Sequence, residues 1–199
     1  MGKIVYIMGK SSTGKDTIFR ELLRDNNYSF KTVVSYTTRP IRSGERNGVE
    51  YFFVTEEEFF SLKDSGKIIE DRCYPSAHGP WRYFTVDDGQ IDFKNNYITI
   101  GTIESFVKLR EYFGADRLIP VLVELDDGDR LQRALNRERK QAVPRYEEMC
   151  RRFLADSVDF SEEKIKAADI TGRFKNNDLR VCLREINRYI SGEMARDGR

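Results

Sequence analysis

Short apolar runs alternate with amphipathic segments along most of the 199-residue chain. The first run, Lys3 to Gly9, is apolar, rich in β-forming residues and ended by glycine, which is typical of a buried parallel strand. After a short loop, the segment from Asp16 to Asp25 gathers its apolar side chains on one helical face. These side chains are Ile18, Phe19, Leu22 and Leu23. The chain is therefore predicted to begin as strand, loop and helix.

The same alternation returns in the second half of the chain. The pattern predicts strands at 97–101, 118–125 and 168–171. It predicts helices at 102–113, 129–140, 144–166 and 178–190. Strands that alternate with helices predict an α/β fold, in which a parallel sheet is covered by helices.

A strand-rich stretch interrupts this alternation in the first half. Strands are predicted at 32–38, 50–54, 67–74 and 82–86, with one helix at 55–65. The Asn47-Gly48 pair between the first two strands is a strong turn signal, and Thr55 with Glu58 forms a capping box for the helix. The predicted domains are a core at 1–32 and 87–199 and an insert at 33–86.

Composition narrows the function classes. The chain has 34 basic and 33 acidic residues, so no overall basic field indicates a nucleic-acid or membrane partner. No apolar run is long enough to span a membrane, and the first residues lack the pattern of a signal peptide. Three scattered cysteines predict neither a disulfide framework nor a zinc site. We expect a cytoplasmic protein, either a monomer or a homodimer.

The loop after the first strand has the spacing of a phosphate-binding loop, in which a glycine is followed by four residues and then by Gly-Lys. Backbone N–H groups in such a bend form an anion site, the helix N-terminus adds its dipole, and Lys15 supplies a mobile charge. Its position between a strand and a helix makes a chance match less probable. The residues predicted to bind ATP here are Gly9, Lys10, Ser11, Ser12, Thr13, Gly14, Lys15, Asp16 and Thr17.

The residue after Lys15 is an acid, where such loops usually carry a serine or threonine that holds Mg²⁺. Asp16 could ligate Mg²⁺ directly, because this ion prefers hard oxygen ligands. Thr17 could supply a hydroxyl if the loop register allows it. Asp16 could also serve simply as a favourable acid in the first helical turn. The sequence leaves the Mg²⁺ ligand open between Asp16 and Thr17.

The stretch from Ser35 to Phe59 resembles the signature of the guanylate kinase family. That signature is a Thr-Thr-Arg-x-x-Arg-x-Gly-Glu run followed by Gly-x-x-Tyr-x-Phe-Val. The matching residues here are Thr37, Thr38, Arg39, Arg42, Gly44, Glu45, Gly48, Tyr51, Phe53 and Val54. With the phosphate loop and the later helices, the resemblance spans most of the chain. It implies a phosphate-loop NTPase-type core, a monophosphate-binding insert and a helical lid at about 130–155.

The resemblance also implies how the acceptor is held. Arg39, Arg42 and Tyr51 would grip the phosphate of GMP, and arginine suits that role through its planar, paired donors. Ser35 and Glu70 would read guanine, because a carboxylate can accept from the ring N–H and the amino group that adenine lacks.

Two departures from the family pattern lie on the base-reading side. His78-Gly79-Pro80 stands where the family usually has Tyr-Gly-Ser or Tyr-Gly-Thr, and Thr102-Ile103-Glu104 stands where an Asp-x-Asp segment is expected. These departures bear on the specificity for guanine more than on phosphoryl transfer.

The segment from 130 to 152 is rich in arginine. The arginines singled out here are Arg130, Arg133, Arg137, Arg139, Arg151 and Arg152. Arg133 and Arg137 lie four residues apart on one helical face, where like charges are unfavourable unless an anion arrives between them. By resemblance, Arg137 and Arg152 align best with the arginines that close over ATP and the transferring phosphate, and Arg133, the next best match, would also bind ATP. A basic, solvated helical hairpin is the alternative.

These features together predict an ATP- and Mg²⁺-dependent guanylate kinase with small nucleotides as its partners. Lys15, Arg39, Arg137 and Arg152 are the predicted catalytic residues. The acceptor phosphate is already an anion, so no side chain need act as a general base. The alternatives are a kinase of the same fold with another acceptor, and a guanylate-kinase-like binding module without catalysis.

Overall fold

The computed structural model describes residues 1–25, 27–42, 44–75 and 79–196. Its strands are Ile4–Met8 (β1), Lys31–Thr32 (β2), Tyr36–Thr37 (β3), Phe52–Phe53 (β4), Ile68–Tyr74 (β5), Trp81–Val86 (β6), Tyr97–Ile100 (β7), Leu118–Glu124 (β8) and Arg173–Lys175 (β9). Its helices are Lys15–Arg24 (α1), Glu56–Asp64 (α2), Ile103–Phe113 (α3), Asp127–Glu138 (α4), Tyr146–Asp159 (α5), Glu162–Ala167 (α6) and Leu179–Ala195 (α7).

The main sheet has five parallel strands in the order β2-β7-β1-β8-β9. Side chains of β1 alternate between its two faces, because successive residues of a strand point in opposite directions. Tyr6 packs with α3 on one face, and Ile7 packs with α1 and α7 on the other. Both faces are therefore covered, and the predicted α/β class with a parallel sheet is confirmed.

A second sheet of four strands, in the order β4-β3-β6-β5, lies within the predicted insert. Helix α2 covers it through Phe59, which is fully buried against Phe84. The Gln90 side chain joins the two segments that connect this sheet to the core, accepting from Val34 N–H at 2.9 Å and donating to the Val34 carbonyl at 3.1 Å. Ser105 of α3 adds a contact, donating to Glu70 of β5 at 2.8 Å.

Several predicted elements differ from the structure in the insert. The strand predicted at 32–38 is two short strands that belong to different sheets, β2 in the main sheet and β3 in the second. Strands β3 and β4 pair in parallel, so they do not form a hairpin across the Asn47-Gly48 turn. The turn itself is present: Gly48 has a φ of 78°, and the Asn47 side chain accepts from Phe53 N–H at 2.8 Å.

The C-terminal half also departs from the prediction. The helix predicted at 144–166 is split into α5 and α6, because Ser161 starts a new helix by accepting from Lys164 N–H. The strand predicted at 168–171 is wrong. Asp169 has a φ of 50°, which breaks an extended strand, and the last pairing with β8 is made two residues later by β9. Helix α4 begins at Asp127, where Asp126 caps its N-terminus. Within the described ranges, no helix is long and apolar enough to cross a membrane.

Candidate active site

The loop between β1 and α1 wraps around the N-terminus of α1. Gly14, with a φ of 91°, precedes the helix, and Ser12 also adopts a left-handed conformation with a φ of 66°. Gly9 has a φ of 154°, and a Cβ atom there would lie 2.5 Å from the Val123 carbonyl oxygen. The first turn of α1 leaves N–H groups without partners inside the helix, which suits an anion. The backbone conformation therefore fits the predicted phosphate-binding loop.

Two side chains hold this loop from behind. Thr13 is buried and donates through Oγ1 to the Lys10 carbonyl at 3.0 Å. Asn176, which follows β9 and is also buried, donates to the Thr13 carbonyl at 2.7 Å. A Cβ on Gly14 would overlap the Asn176 amide nitrogen. The loop conformation is thus fixed by packing and hydrogen bonds from the end of the sheet.

Lys15 and Asp16 open the helix with opposite exposure. The Lys15 side chain is mostly buried, whereas the Asp16 side chain is 76% exposed, and the Lys15 Nζ lies 3.9 Å from Asp16 Oδ2. Among the described residues, no cluster of three or more His, Cys, Asp or Glu side chains is arranged to hold a metal. Mg²⁺ does not need such a cluster, because it is commonly held by one or two protein ligands, waters and substrate phosphates. An exposed carboxylate beside the loop fits that requirement, and Thr17 one residue on is half-buried.

The helices of the predicted lid contact the phosphate loop through a buried network. The Arg130 side chain of α4 is 0% exposed; it donates to the Ser11 carbonyl at 3.0 Å and to Asp156 Oδ2 of α5 at 2.7 Å. Arg130 also bonds Asp127, which in turn lies 3.3 Å from Lys10 Nζ. The same Asp156 oxygen accepts from Ser11 N–H at 2.7 Å. A carboxylate of the predicted lid therefore accepts a hydrogen bond from one of the N–H groups of the loop.

A cleft of about 320 Å³ opens between the loop, the second sheet and α5. Side chains from all three parts line it, among them Lys15, Ser35, Tyr51, Arg72, Arg151 and Arg152. The structure thus brings Lys15, the predicted acceptor residues Ser35 and Tyr51, and the predicted lid residue Arg152 to one space.

The lid arginines differ in their positions. Arg152 Nε donates to Glu148 Oε1 at 2.7 Å, and hydrogen bonds from Arg151 and Arg152 hold the pKa of Glu148 at about 2. Arg133 lies beside the phosphate loop, donating to the Asn176 carbonyl at 3.3 Å. Arg137 is 55% exposed, with its Nε 4.0 Å from Glu138 Oε1, and it does not line the cleft.

Of the predicted phosphate-gripping residues, Tyr51 lines the cleft, whereas Arg39 and Arg42 do not. Arg39 is buried and makes two parallel hydrogen bonds to Glu45, at 2.8 and 2.7 Å, which lower the pKa of Glu45 to about 2. Its guanidinium lies 5.3 Å from the centre of the Tyr51 ring, and burial raises the pKa of Tyr51. Arg42 is exposed and donates its backbone N–H to Glu45. Tyr51 therefore faces the cleft, and Arg39 supports it from behind.

Glu70, the predicted guanine reader, is enclosed by protein. Its carboxylate accepts from the hydroxyls of Thr85 at 2.7 Å and Ser105 at 2.8 Å, and from Arg72 Nε at 3.1 Å. Its side chain is 2% exposed. His78, the centre of the altered base-side segment, lies outside the described residues. The guanidinium of Arg72 is the charged group that stands between Glu70 and the cleft.

The sequence prediction did not single out Arg72, Asp156 or Asn176. Arg72 lies two residues after Glu70 on a predicted strand, so a shared face was readable from the alternation. The meeting of Asp156 with Ser11 joins residues 145 positions apart, and no local pattern indicates it. Asn176 and Arg173 had no predicted role; Asn176 holds the loop, and Arg173 bonds Glu124 and Glu162 at the end of the sheet.

Comparisons with known proteins identify what the chain resembles. The family model described as guanylate kinase matches residues 1–78. A guanylate kinase from Porphyromonas gingivalis is 26% identical over 200 residues, which cover 98% of this chain and all of that protein. A guanylate kinase from Malacoplasma penetrans is 34% identical over 121 residues, covering 61% of this chain and 57% of that protein. The crystal structure of guanylate kinase from Anaplasma phagocytophilum matches the fold with a TM-score of 0.64 at 21% identity, covering 97% of this chain and 87% of that one.

Proposed function

We propose that the chain is a member of the guanylate kinase family, a family of ATP-dependent nucleoside monophosphate kinases, and that it transfers the γ-phosphoryl group of Mg-ATP to GMP, giving GDP and ADP. One observation carries the proposal. Lys15 of the phosphate loop, Tyr51 of the second sheet and Arg152 of the lid line the same cleft, so donor and acceptor phosphates can meet there.

The donor side is the phosphate loop. Its N–H groups and Lys15 hold the β- and γ-phosphates of ATP, while Arg133 beside Gly14 adds charge at the edge of the loop. Mg²⁺, held through Asp16 or Thr17, offsets charge on those phosphates when bound. Arg152 stabilises the moving phosphoryl group, and Arg137 joins it when the lid closes.

The acceptor side is the second sheet. Tyr51 and Arg42 hold the acceptor phosphate, and Arg39 keeps Tyr51 in place and adds positive charge beneath it. Ser35 borders the cleft where the base arrives. Because the acceptor phosphate is an anion, transfer depends on alignment and charge stabilisation, and no side chain has to remove a proton.

A coupled assay of ADP release with Mg-ATP tests this function. The acceptors are GMP, dGMP, AMP, CMP, UMP and IMP, each with and without enzyme. We expect turnover with GMP. In Lys15→Met, with the fold retained, this turnover is expected to fall by at least about a hundredfold. Near-full turnover of Lys15→Met contradicts the assignment. Silence with all acceptors, while ATP still binds, supports the alternative of a binding module.

A second candidate is the same reaction with another acceptor. The observation that favours it is the enclosure of Glu70, whose carboxylate already accepts three hydrogen bonds from the protein. The acceptor panel distinguishes the two candidates directly.

A further inference from the structure

The space next to Glu70 is too small for a base. The cavity shared by Ser35, Glu70, Arg72 and Thr85 measures about 10 Å³. A cavity needs roughly that volume to hold one water molecule. A purine therefore cannot reach the Glu70 carboxylate while the side chains keep this arrangement.

Arg72 is the polar group that a base in the larger cleft meets instead. It borders both the small cavity and the 320 Å³ cleft, and its side chain is 15% exposed against 2% for Glu70. The carboxylate of Glu70 fixes it through Nε. Tyr74 lines the same cleft as Arg72.

Guanidinium donors select a particular edge of a purine. A guanidinium presents paired N–H donors in one plane and no acceptor. It matches O6 and N7 of guanine, which are adjacent acceptors on one edge of the ring. Adenine keeps N7 but carries an amino donor at position 6, which faces the guanidinium unfavourably. Hypoxanthine and xanthine keep both acceptors, and they differ from guanine only at position 2.

We propose that Arg72 reads the base of the acceptor by donating to O6 and N7 of a 6-oxopurine, with Glu70 as the residue that positions Arg72. This inference rests on the proposed kinase function and names the acceptor class as 6-oxopurine monophosphates. Position 2 of the base is not read by the enclosed carboxylate. GMP, IMP and XMP are therefore all acceptors, and AMP is rejected.

The first test compares kcat/KM of the unmodified enzyme for GMP, IMP, XMP, AMP and 7-deaza-GMP at saturating Mg-ATP. IMP and XMP are expected within about tenfold of GMP, and AMP at least about tenfold below all three, in line with a bidentate base contact. Loss of N7 in 7-deaza-GMP is expected to lower kcat/KM by about five- to tenfold. A preference of a hundredfold or more for GMP over IMP would overturn the inference, because it requires a group that reads the 2-amino donor. Absence of turnover with every acceptor would instead overturn the proposed function.

The second test uses Arg72→Lys, which keeps a positive charge beside Glu70 but loses the paired donors. The ratio of kcat/KM for GMP to that for AMP is expected to fall by about tenfold, while KM for ATP is unchanged. Arg82→Lys on the adjacent strand is the matched control, since Arg82 pairs with Glu56 at 3.0 Å and lies over the Phe59 ring, away from the cleft. Equal ratios in the two variants contradict the role of Arg72.

A third variant addresses positioning. Glu70→Gln keeps the size of the side chain and removes the charge that holds Arg72. The ratio for GMP over AMP is expected to fall, with the ratio for GMP over IMP unchanged. A fall in the ratio for GMP over IMP would show that Glu70 contacts the base itself and would overturn the positioning role.

Discussion

Replacing Arg130 by methionine removes the centre of the network that joins the lid helices to the phosphate loop. Methionine keeps a long apolar stem, so contacts such as that with the Phe153 ring, 4.7 Å from the guanidinium, are largely retained. The variant loses the hydrogen bonds to the Ser11 carbonyl, Asp127 and Asp156. What remains is a largely buried Asp156 carboxylate, with Ser11 N–H as its partner.

The expected cost follows from that geometry. Removing one partner of a buried ion pair costs about 3–5 kcal/mol, because the other charge is left without compensation. Asp127 is half exposed and can regain water, and Asp156 keeps one N–H bond, so the lower end of the range applies. We expect a loss of about 3 kcal/mol in the free energy of unfolding. For a chain of this length that corresponds to a fall in Tm of roughly 6–12 °C.

Urea and thermal unfolding of three variants measure this effect. Arg130→Met is compared with Asp156→Leu and with the double variant, in which both charges are gone. The double variant is expected to lose less free energy of unfolding than the sum of the two single losses, by at least about 1 kcal/mol. Arg24→Met, which removes an exposed pair with Glu21, is the control and is expected to cost under about 1 kcal/mol. A loss below about 1 kcal/mol in Arg130→Met, or strictly additive losses in the double variant, would refute the reasoning.

Three further predictions concern pH, packing and the loop. Beside Arg39, the pKa of Glu45 in the folded protein is about 2, which lies below its value in the unfolded chain. The pair therefore stabilises the fold above about pH 4.5, and this contribution is lost as the pH falls towards 2. Between these pH values, the free energy of unfolding of Glu45→Gln should fall less than that of the unmodified protein. Ile186 of α7 is fully buried against the main sheet. Its replacement by alanine is expected to lower the free energy of unfolding, measured in urea, by about 2–5 kcal/mol. Gly9→Ala places a Cβ 2.5 Å from the Val123 carbonyl oxygen, and titration with a fluorescent ATP analogue should show binding weakened at least about tenfold; unchanged affinity would mean the loop relaxes freely.

The beginning of the chain was predictable because its signals are local. The apolar run of β1, the glycines of the loop and the amphipathic face of α1 each lie within a few residues, and the structure places all three close to the predicted bounds. The strand predicted at 168–171 failed for a complementary reason. The segment 168–171 is more apolar than β9, whose one apolar residue is Phe174. Which of the two segments forms the strand depends on which one reaches β8, and that is a contact with a distant part of the chain.

The candidate site shows the same division. The loop residues and Tyr51 were found from motifs, since their spacing is fixed by the backbone that they share. The hydrogen bonds from Arg72 and Ser105 to Glu70 were not predicted, because they depend on the side-chain packing of β5 against α3. Sequence spacing indicated a carboxylate at that position, but it did not show that this carboxylate already accepts three hydrogen bonds from the protein.

The side-chain clasp between Gln90 and Val34 has a mechanical consequence for the second sheet. The two segments that leave the core are tied to each other by a pair of hydrogen bonds, at 2.9 and 3.1 Å, so they act as a single hinge rather than two independent tethers. Rotation of the sheet about that hinge also pulls on the bond from Ser105 to Glu70, which spans the gap between sheet and core. A rotation of the sheet towards the phosphate loop would therefore strain the bond from Ser105 to Glu70 and, through Glu70, shift the support of Arg72.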